Sequence, residues 1–473
     1  MSTDCGCSRR QMLRSLVGGS LLLPGIVSEL LKADEGTAAS DPFSPKPSHF
    51  PAKAKRVIFL FMTGGVSHVE SFDPKPQLIV DHNKSYDVPK ELLEAFGADN
   101  RKEQKFFKKP QWEFRPRGKC GTEISDLFPH IAARADDLCV IRSMKSDHPN
   151  HFEATLGIHT GSVSFARPSM GSWISYGLGT FNQNLPSFVV LAPQLPYAGS
   201  QVWASDFLPG SHQGTRVMPS AEPIPNMNRR MPSPELQDME LGLINAFNKQ
   251  HLLRSGDDSK LAARIKSFET AYGMQKEAPE AFDLSKESDS TLKMYGLQRG
   301  STKGFAWQCL MARRLAERGV RFIELIDVGS SNNWDAHGDM TTHAPLAKNV
   351  DQPIAGLLQD LKQRGMLDDT LVVWTTEFGR TPFNSTKDAK GREHHASVFS
   401  SWMAGGGVKG GITYGKSDEY GNYVAENEVH VHDFHATILH LLGMDHERLT
   451  FRHGGRDYRL TDVHGKVVKP ILV

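Results

Sequence analysis

Two stretches in the last third of the sequence hold the residues best suited to chemistry. They are Asn333-Trp334-Asp335-Ala336-His337-Gly338-Asp339 and the run from Thr370 to Arg380, the latter followed by Gly391-Arg392-Glu393-His394-His395. Each sets carboxylates and imidazoles just past an expected strand. Hard oxygen ligands and neutral imidazoles clustered at strand ends are what a divalent ion or a transferring anionic group requires, and α/β folds build their sites in loops at carboxyl strand ends. An enzyme is the leading expectation.

Asp335 and His337, two apart in one loop, are placed to face a single ion. Asp339 and His343, four apart, would share one helical face. His394 or His395, from the loop after Gly391, would complete the set. Such a mixture of nitrogen and oxygen ligands suits Zn, Mn or Ca, and the spacing does not separate them. The competing reading makes Asp335 a helix cap and leaves His337 and His343 as solvated loop residues.

Glu377 directly follows an apolar strand, where an unpaired buried carboxylate is costly, so it binds a cation or pairs with Arg380. Arg380 suits sulfate or phosphate, because its planar fork donates two parallel hydrogen bonds. His151, at an expected helix start, has the chemistry of an acid, a base, a ligand or a phosphoryl acceptor, and packing under a loop is the plain alternative. Thr63-Gly64-Gly65, with Ser67 and His68, either presents backbone donors to an anion or forms an ordinary strand-to-helix turn. Residues 430–442 are dense in histidine but read as a helix with Asp433 near its start and Gly443 as its stop, in which only His432 and His435 have the makings of ligands.

Buried strands must hold these residues in place. Segments 56–62, 138–142, 187–191, 320–326, 370–375 and 398–404 are continuously apolar, as in a sheet covered on both faces. Helices are predicted over 304–318 and 350–364, with Gly319 and Gly365 as stops. The fold class is α/β, a mainly parallel sheet sandwiched by helices. Residues 193–301, richer in Pro, Met, Ser and charge, interrupt that rhythm with helical patterns over 234–249 and 257–272, and are expected to form an inserted cap. Residues 83–119 are expected to be an irregular excursion. A C-terminal hairpin is predicted over 449–461, turning at Gly454-Gly455.

The amino terminus sets the expected compartment. Ser8-Arg9-Arg10-Gln11-Met12-Leu13-Arg14, followed by a short apolar run over 16–27, is a twin-arginine export pattern. Residues 1–39 are expected to be removed, leaving 40–55 as a linker rich in Pro and Lys to a domain over 56–473. The apolar run is well short of the roughly 20 residues of a spanning helix, and no later stretch reaches that length. The mature protein is therefore expected in the periplasm or outside the cell, without a membrane span. With 55 basic against 54 acidic residues and no basic stripe, nucleic acid is not an expected partner. Cys5 and Cys7 leave with the signal, and Cys120, Cys139 and Cys309 have no metal-type spacing.

Taken together, Phe61-Met62-Thr63-Gly64-Gly65-Val66-Ser67-His68, Phe72-Asp73-Pro74, His159-Thr160-Gly161, Trp334-Asp335-Ala336-His337, the run from Leu367 to Pro382 and Gly391-Arg392-Glu393-His394 resemble an uncharacterised exported bacterial family. That family is the domain-of-unknown-function group numbered fifteen hundred and one, sulfatase-like and placed in the alkaline phosphatase superfamily. The resemblance implies an alkaline phosphatase-like sheet whose strand ends hold one or two metal ions, with attack on sulfur or phosphorus by a hydroxyl-type nucleophile. It puts His151 at the nucleophile position, where neither Cys nor Ser stands, and Phe378 where a second metal ligand would follow Glu377. Strand one ends in Thr63-Gly64 in place of acidic residues.

The expected function is an exported metal-dependent hydrolase of sulfate or phosphate esters, on a glycan or another anionic polymer. Asp335, His337, Glu377 and His394 are the expected metal ligands, with Asp339, His343 and His395 as further candidates. His151 and Glu377 are the expected catalytic groups, and Arg380, Asn150, Thr63 and Ser67 the expected substrate contacts. The competing class is a catalytically degenerate superfamily member that binds a ligand or partner without turnover.

Overall fold

The computed structural model describes residues 43–88, 104–220, 222–224, 233–255 and 259–473. The expected signal over 1–39 lies outside them, as do parts of the expected excursion and insertion. Nine strands form the central sheet: β1 (Arg56–Phe61), β2 (Leu138–Lys145), β3 (Phe188–Leu191), β4 (Thr215–Val217), β5 (Phe322–Ile326), β6 (Thr370–Thr375), β7 (Phe399–Ala404), β8 (Ile412–Tyr414) and β9 (Val429–His430). Their order is β8-β2-β7-β6-β1-β5-β3-β4, with β9 also beside β2. Only β7 runs against its neighbours, β6 and β2. The chain is thus the α/β protein with a mainly parallel sheet that its apolar runs predict.

Those runs are continuous because each face of the sheet carries a core. Along β1, Ile58 and Leu60 join one apolar cluster, whereas Val57, Phe59 and Phe61 join the other. Strand β6 divides in the same way, Val372 and Trp374 from Leu371 and Val373. Side chains alternate across a strand, so no position on either strand can be left polar without cost. The first face is covered by α5 (Phe305–Glu317) and α6 (His343–Gln363), through Leu310, Met311, Leu357 and Leu361. The second is covered by α1 (His151–Thr160), α2 (Met170–Leu178) and α7 (Val431–Leu441), through Leu156, Trp173 and Ile438. At roughly 1.5–3 kcal/mol for each fully buried large apolar side chain, these two layers dominate the stability.

Several boundaries differ from expectation. Helix α6 starts at His343 rather than 350, because Asp339 caps the turn Met340–Thr342 by accepting from the Thr341 N–H at 2.8 Å and that turn runs straight into the helix. Two helices of the expected cap, α3 (Pro234–Ser255) and α4 (Ser259–Phe282), extend past their predicted ends. The same segment supplies β4, which pairs with β3, so it contributes an edge to the central sheet as well as covering it. The excursion is more regular than expected, since Gln104–Phe107 pairs with both Ser85–Asp87 and Phe383–Asn384. The described part of the expected linker is a bound strap: Phe43 is buried, the Lys46 N–H donates to the Leu178 carbonyl, and the Lys53 and Ala54 N–H groups donate to the Leu441 carbonyl. The terminal hairpin forms over Phe451–His453 and Arg456–Tyr458, with Gly454 and Gly455 at φ 53° and 84°, left-handed conformations that favour glycine. No described helix is long and apolar enough to cross a membrane.

Candidate metal centre

Phe61 lies opposite both Ile326 and Thr375, so β1, β5 and β6 end at one level and their loops emerge side by side. The loop after β5 carries Asp335 and His337, and Glu377 follows β6. His151 opens α1 and its ring is more than nine-tenths buried. His394 arrives on a short antiparallel ladder, paired with Arg380 while His395 pairs with Gly379. Four chain segments remote in sequence thus converge.

Their meeting point is Asp335 Oδ1. His337 Nε2 lies 3.0 Å from it, His151 Nε2 3.3 Å and His394 Nε2 3.3 Å, and the His337 and His394 Nε2 atoms are 2.9 Å apart. Two of these rings are braced from behind: His151 Nδ1 donates to Glu377 Oε1 at 2.6 Å and His337 Nδ1 to Glu393 Oε2 at 2.5 Å. A carboxylate only accepts, so each Nδ1 carries a hydrogen and each Nε2 is the ring atom turned to the cluster, which prepares the histidine to exchange its Nε2 proton for a metal. Donor atoms bound tetrahedrally at about 2.0 Å stand about 3.3 Å apart, close to the separations found around Asp335 Oδ1. The ligand atoms of His151, Asp335 and His394 all lie within 4.8 Å of one another, as ligands of a single nitrogen-rich ion must, and His337 Nε2 stands beside that group through Asp335 and His394.

Electrostatics follow from this packing. Burial favours a protonated Asp335, but hydrogen bonds from His151, His337 and His394 and the nearby Arg380 guanidinium outweigh it and hold the carboxyl far below its usual range. Hydrogen bonds to Asp335 and Glu393 raise His337 to about 9. Burial works against a charged His151, yet its contacts with Asp335 and Glu377 leave it raised. His394 is lowered, by burial first.

The other expected site residues take different places. Glu377 stands behind the cluster rather than in it, fully buried, accepting from the Gly64 N–H at 2.8 Å and the Thr376 hydroxyl at 3.0 Å as well as from His151. Arg380 is fully buried, and its Nε donates to the Gly65 carbonyl at 3.0 Å while one terminal nitrogen serves the Gly64 carbonyl and, at 2.6 Å, Asp335 Oδ1. The backbone N–H groups of the turn after β1 are all taken within the protein, while the buried Ser67 hydroxyl has no partner among the described residues. The Thr63 N–H goes to Asp327, those of Gly65 and Val66 to the Thr376 hydroxyl, and that of Ser67 to His343 Nε2. Asp339 is a cap and His343 a buried acceptor, so neither joins the cluster. His395 faces His68, with ring centroids 5.8 Å apart. Asn150 is the residue before α1, exposed at the rim.

Glu393, Tyr197 and Asn333 were given no role by the sequence. Glu393 was visible beside His394, but nothing in the spacing tied it to His337. Tyr197 stacks on the His151 ring at 4.1 Å and 14°, and its oxygen accepts from Asn333 Nδ2 at 3.0 Å. Asn333 Oδ1 in turn accepts from the Asp335 N–H at 3.0 Å. Phe378 closes the opposite side, 4.8 Å from both His151 and His394.

A second group, Asp147, His430 and His432, also brings ligand atoms together. It is less suited to an ion. His430 Nδ1 accepts from the His432 N–H at 3.2 Å to cap α7, which leaves the hydrogen on Nε2, 2.8 Å from Asp147 Oδ1. No lone pair of His430 is then free for a metal.

The sheet and the histidine cluster at its carboxyl strand ends define an α/β protein of the kind that places its site on the loops leaving parallel strands. More narrowly, the chain belongs to the family described as "Protein of unknown function (DUF1501)", which matches residues 54–472. No curated protein matches it in sequence. Among solved structures it is similar to the lipoteichoic acid synthase LtaP from Listeria monocytogenes, at 9% identity over 88% of this chain and 78% of that one, with a TM-score of 0.36. It is also similar to a protein in the alkaline phosphatase superfamily from Vibrio parahaemolyticus, at 10% identity over 88% of this chain and 74% of that one, with a TM-score of 0.38. A third is the PsFucS1 sulfatase from Pseudoalteromonas sp., at 12% identity over 91% of this chain and 73% of that one, with a TM-score of 0.31.

Proposed function

We propose that this protein is an exported, metal-dependent hydrolase of sulfate or phosphate esters, carried on a glycan or another anionic polymer. The observation that carries the proposal is the set of three imidazole Nε2 atoms within 3.0–3.3 Å of Asp335 Oδ1, two of them on rings braced by carboxylates. Three imidazoles and one carboxylate favour Zn or Mn over Ca, which prefers all-oxygen surroundings. A divalent ion so held supplies Lewis acidity and lowers the pKa of water to near 7. The protein's own groups do the rest. Glu377 and Glu393 fix the histidine tautomers, Arg380 anchors Asp335 against the turn after β1, and Phe378 and Tyr197 wall the His151 side against bulk water. In the reaction the oxygen of water bonds to sulfur or phosphorus as the ester bond breaks, and the alcohol leaves with one of water's protons. Export by the twin-arginine route belongs to the same proposal and rests on Ser8 to Arg14.

The test is metal content of the purified protein together with hydrolysis of aryl sulfate and aryl phosphate. Asp335→Ala and His394→Ala should each abolish both, and variants that keep their metal and activity defeat the proposal. One observation favours a second reading, a ligand-binding protein without turnover. Arg380 already neutralises Asp335 at 2.6 Å, and a purified protein with neither metal nor turnover would support it.

A further inference from the structure

We infer that the site takes a tetrahedral ester of single negative charge, a sulfate monoester or a phosphate diester, in preference to a doubly charged phosphate monoester, with the Tyr197 hydroxyl donating to a non-bridging oxygen. This rests on the hydrolase reading above and adds the charge class of its substrate. The fixed charges around the cluster are three carboxylates, Asp335, Glu377 and Glu393, against one guanidinium, Arg380. With neutral imidazoles as ligands, a divalent ion brings that balance to zero. Among the described residues, neither Arg380 nor Arg392, the two buried arginines of these loops, is left free to meet a second negative charge.

The nearby arginines are committed. Arg380 donates to the carbonyls of Gly64, Gly65 and Arg392 and to Asp335. Arg392, also fully buried, is paired with Glu70 at 2.7 Å and donates to the carbonyls of Thr381, Lys108 and Lys109. The backbone N–H groups of residues 63–67 all donate inward to Asp327, Glu377, Thr376 and His343. A dianion would therefore bring one more uncompensated charge into a half-buried, carboxylate-rich site, which is costly where water screens poorly.

Tyr197 supplies the neutral donor that such a site needs. Its ring is fixed face to face on His151, and its oxygen already accepts from Asn333, the residue that also holds the Asp335 backbone. Among the described residues no acceptor takes the phenolic hydrogen. A phenol with an occupied lone pair and an unclaimed hydrogen is set to donate.

The test uses the metal-loaded full-length protein at about pH 8.5 and two non-hydrolysable probes of like shape, benzenesulfonate (one charge) and phenylphosphonate (two). Calorimetry should find the sulfonate bound at least about tenfold more tightly. Equal or tighter phosphonate binding overturns the inference. Tyr197→Phe, which keeps the stacked ring, should weaken sulfonate binding several-fold at unchanged metal content, and an unchanged affinity removes Tyr197 from the contact. Rates on 4-nitrophenyl sulfate and bis(4-nitrophenyl) phosphate then separate the two ester sources. Sulfonate selectivity without turnover of either ester sustains the charge class while sinking the hydrolase reading, whereas failure to bind any ion sinks both.

Discussion

Glu393 Oε2 accepts the Nδ1 hydrogen of His337 at 2.5 Å, while the Nε2 of the same ring stands 3.0 Å from Asp335 Oδ1. The carboxylate fixes the ring's tautomer and makes its lone pair more basic. Replacing it by the neutral amide in Glu393→Gln keeps an acceptor but removes the charge. Metal affinity measured by chelator competition should fall about 10–100-fold with the fold intact. Unaltered affinity would show that Glu393 plays no part in holding an ion.

Gly391 packs against the backbone of the histidine loop. A Cβ there would collide with the His337 carbonyl group and come within 2.6 Å of the Ala336 carbonyl oxygen. Backbone cannot rotate out of the way as a side-chain tip can. Gly391→Ala should displace His337 from His394 and abolish stoichiometric metal binding, read by elemental analysis, while circular dichroism retains the α/β signature. A fully metallated variant would contradict the tight approach of these loops.

The loop bearing Glu393 and His394 is tied down by a buried ion pair, Arg392 with Glu70, at 2.9 and 2.7 Å. Removing the acid leaves a guanidinium buried without its counter-charge. Glu70→Ala should cost about 3–5 kcal/mol, seen as a lowered denaturation midpoint. A loss below about 1 kcal/mol would mean that the pair behaves as a solvated surface contact.

Acid should unfold the protein through its buried histidines. His212, only 2% exposed and 2.9 Å from the Ser175 hydroxyl, is held down at about 3 by burial first and by Lys46 second. Its folded value lies below the unfolded one, so its full contribution is present above about 6.5 and declines as pH falls toward 3. By pH 5 the loss from this one residue is about 2 kcal/mol. Denaturant titrations at pH 7 and 5 should show that His212→Asn flattens the difference by this amount, and an equally steep decline in the variant would assign the acid sensitivity elsewhere.

The proposed twin-arginine export would depend on guanidinium groups that lysine does not replace. Arg9→Lys with Arg10→Lys should leave the protein in the cytoplasm, as judged by cell fractionation, without changing its folded stability. Normal secretion of that double variant would assign it another route.

The sheet was legible because each core strand lies between two apolar layers, so its sequence lacks alternation and stops where the loop begins. Asp335, His337 and His394 were legible for a related reason: polar residues just beyond such a strand stand where its loops gather. Contacts made across the fold left no such trace. His151 and Glu377 are 226 residues apart, and no periodicity links them. The turn after β1 looked able to hold an anion because glycines suggest exposed amides, but its backbone donors are taken by Asp327, Thr376, Glu377 and His343, which arrive from three other elements. Tyr197 sits in residues 193–301, whose composition pointed to an inserted cap and gave no sign of a place beside the cluster.

The strap from Phe43 to Lys55 joins the carboxyl end of α2 to that of α7, with Phe43 buried at its outer end. A chain shortened to begin at Arg56 would strip that seam and bare its apolar lining to solvent. Such a truncation invites aggregation, so the self-sufficient folded body reaches back at least to Phe43.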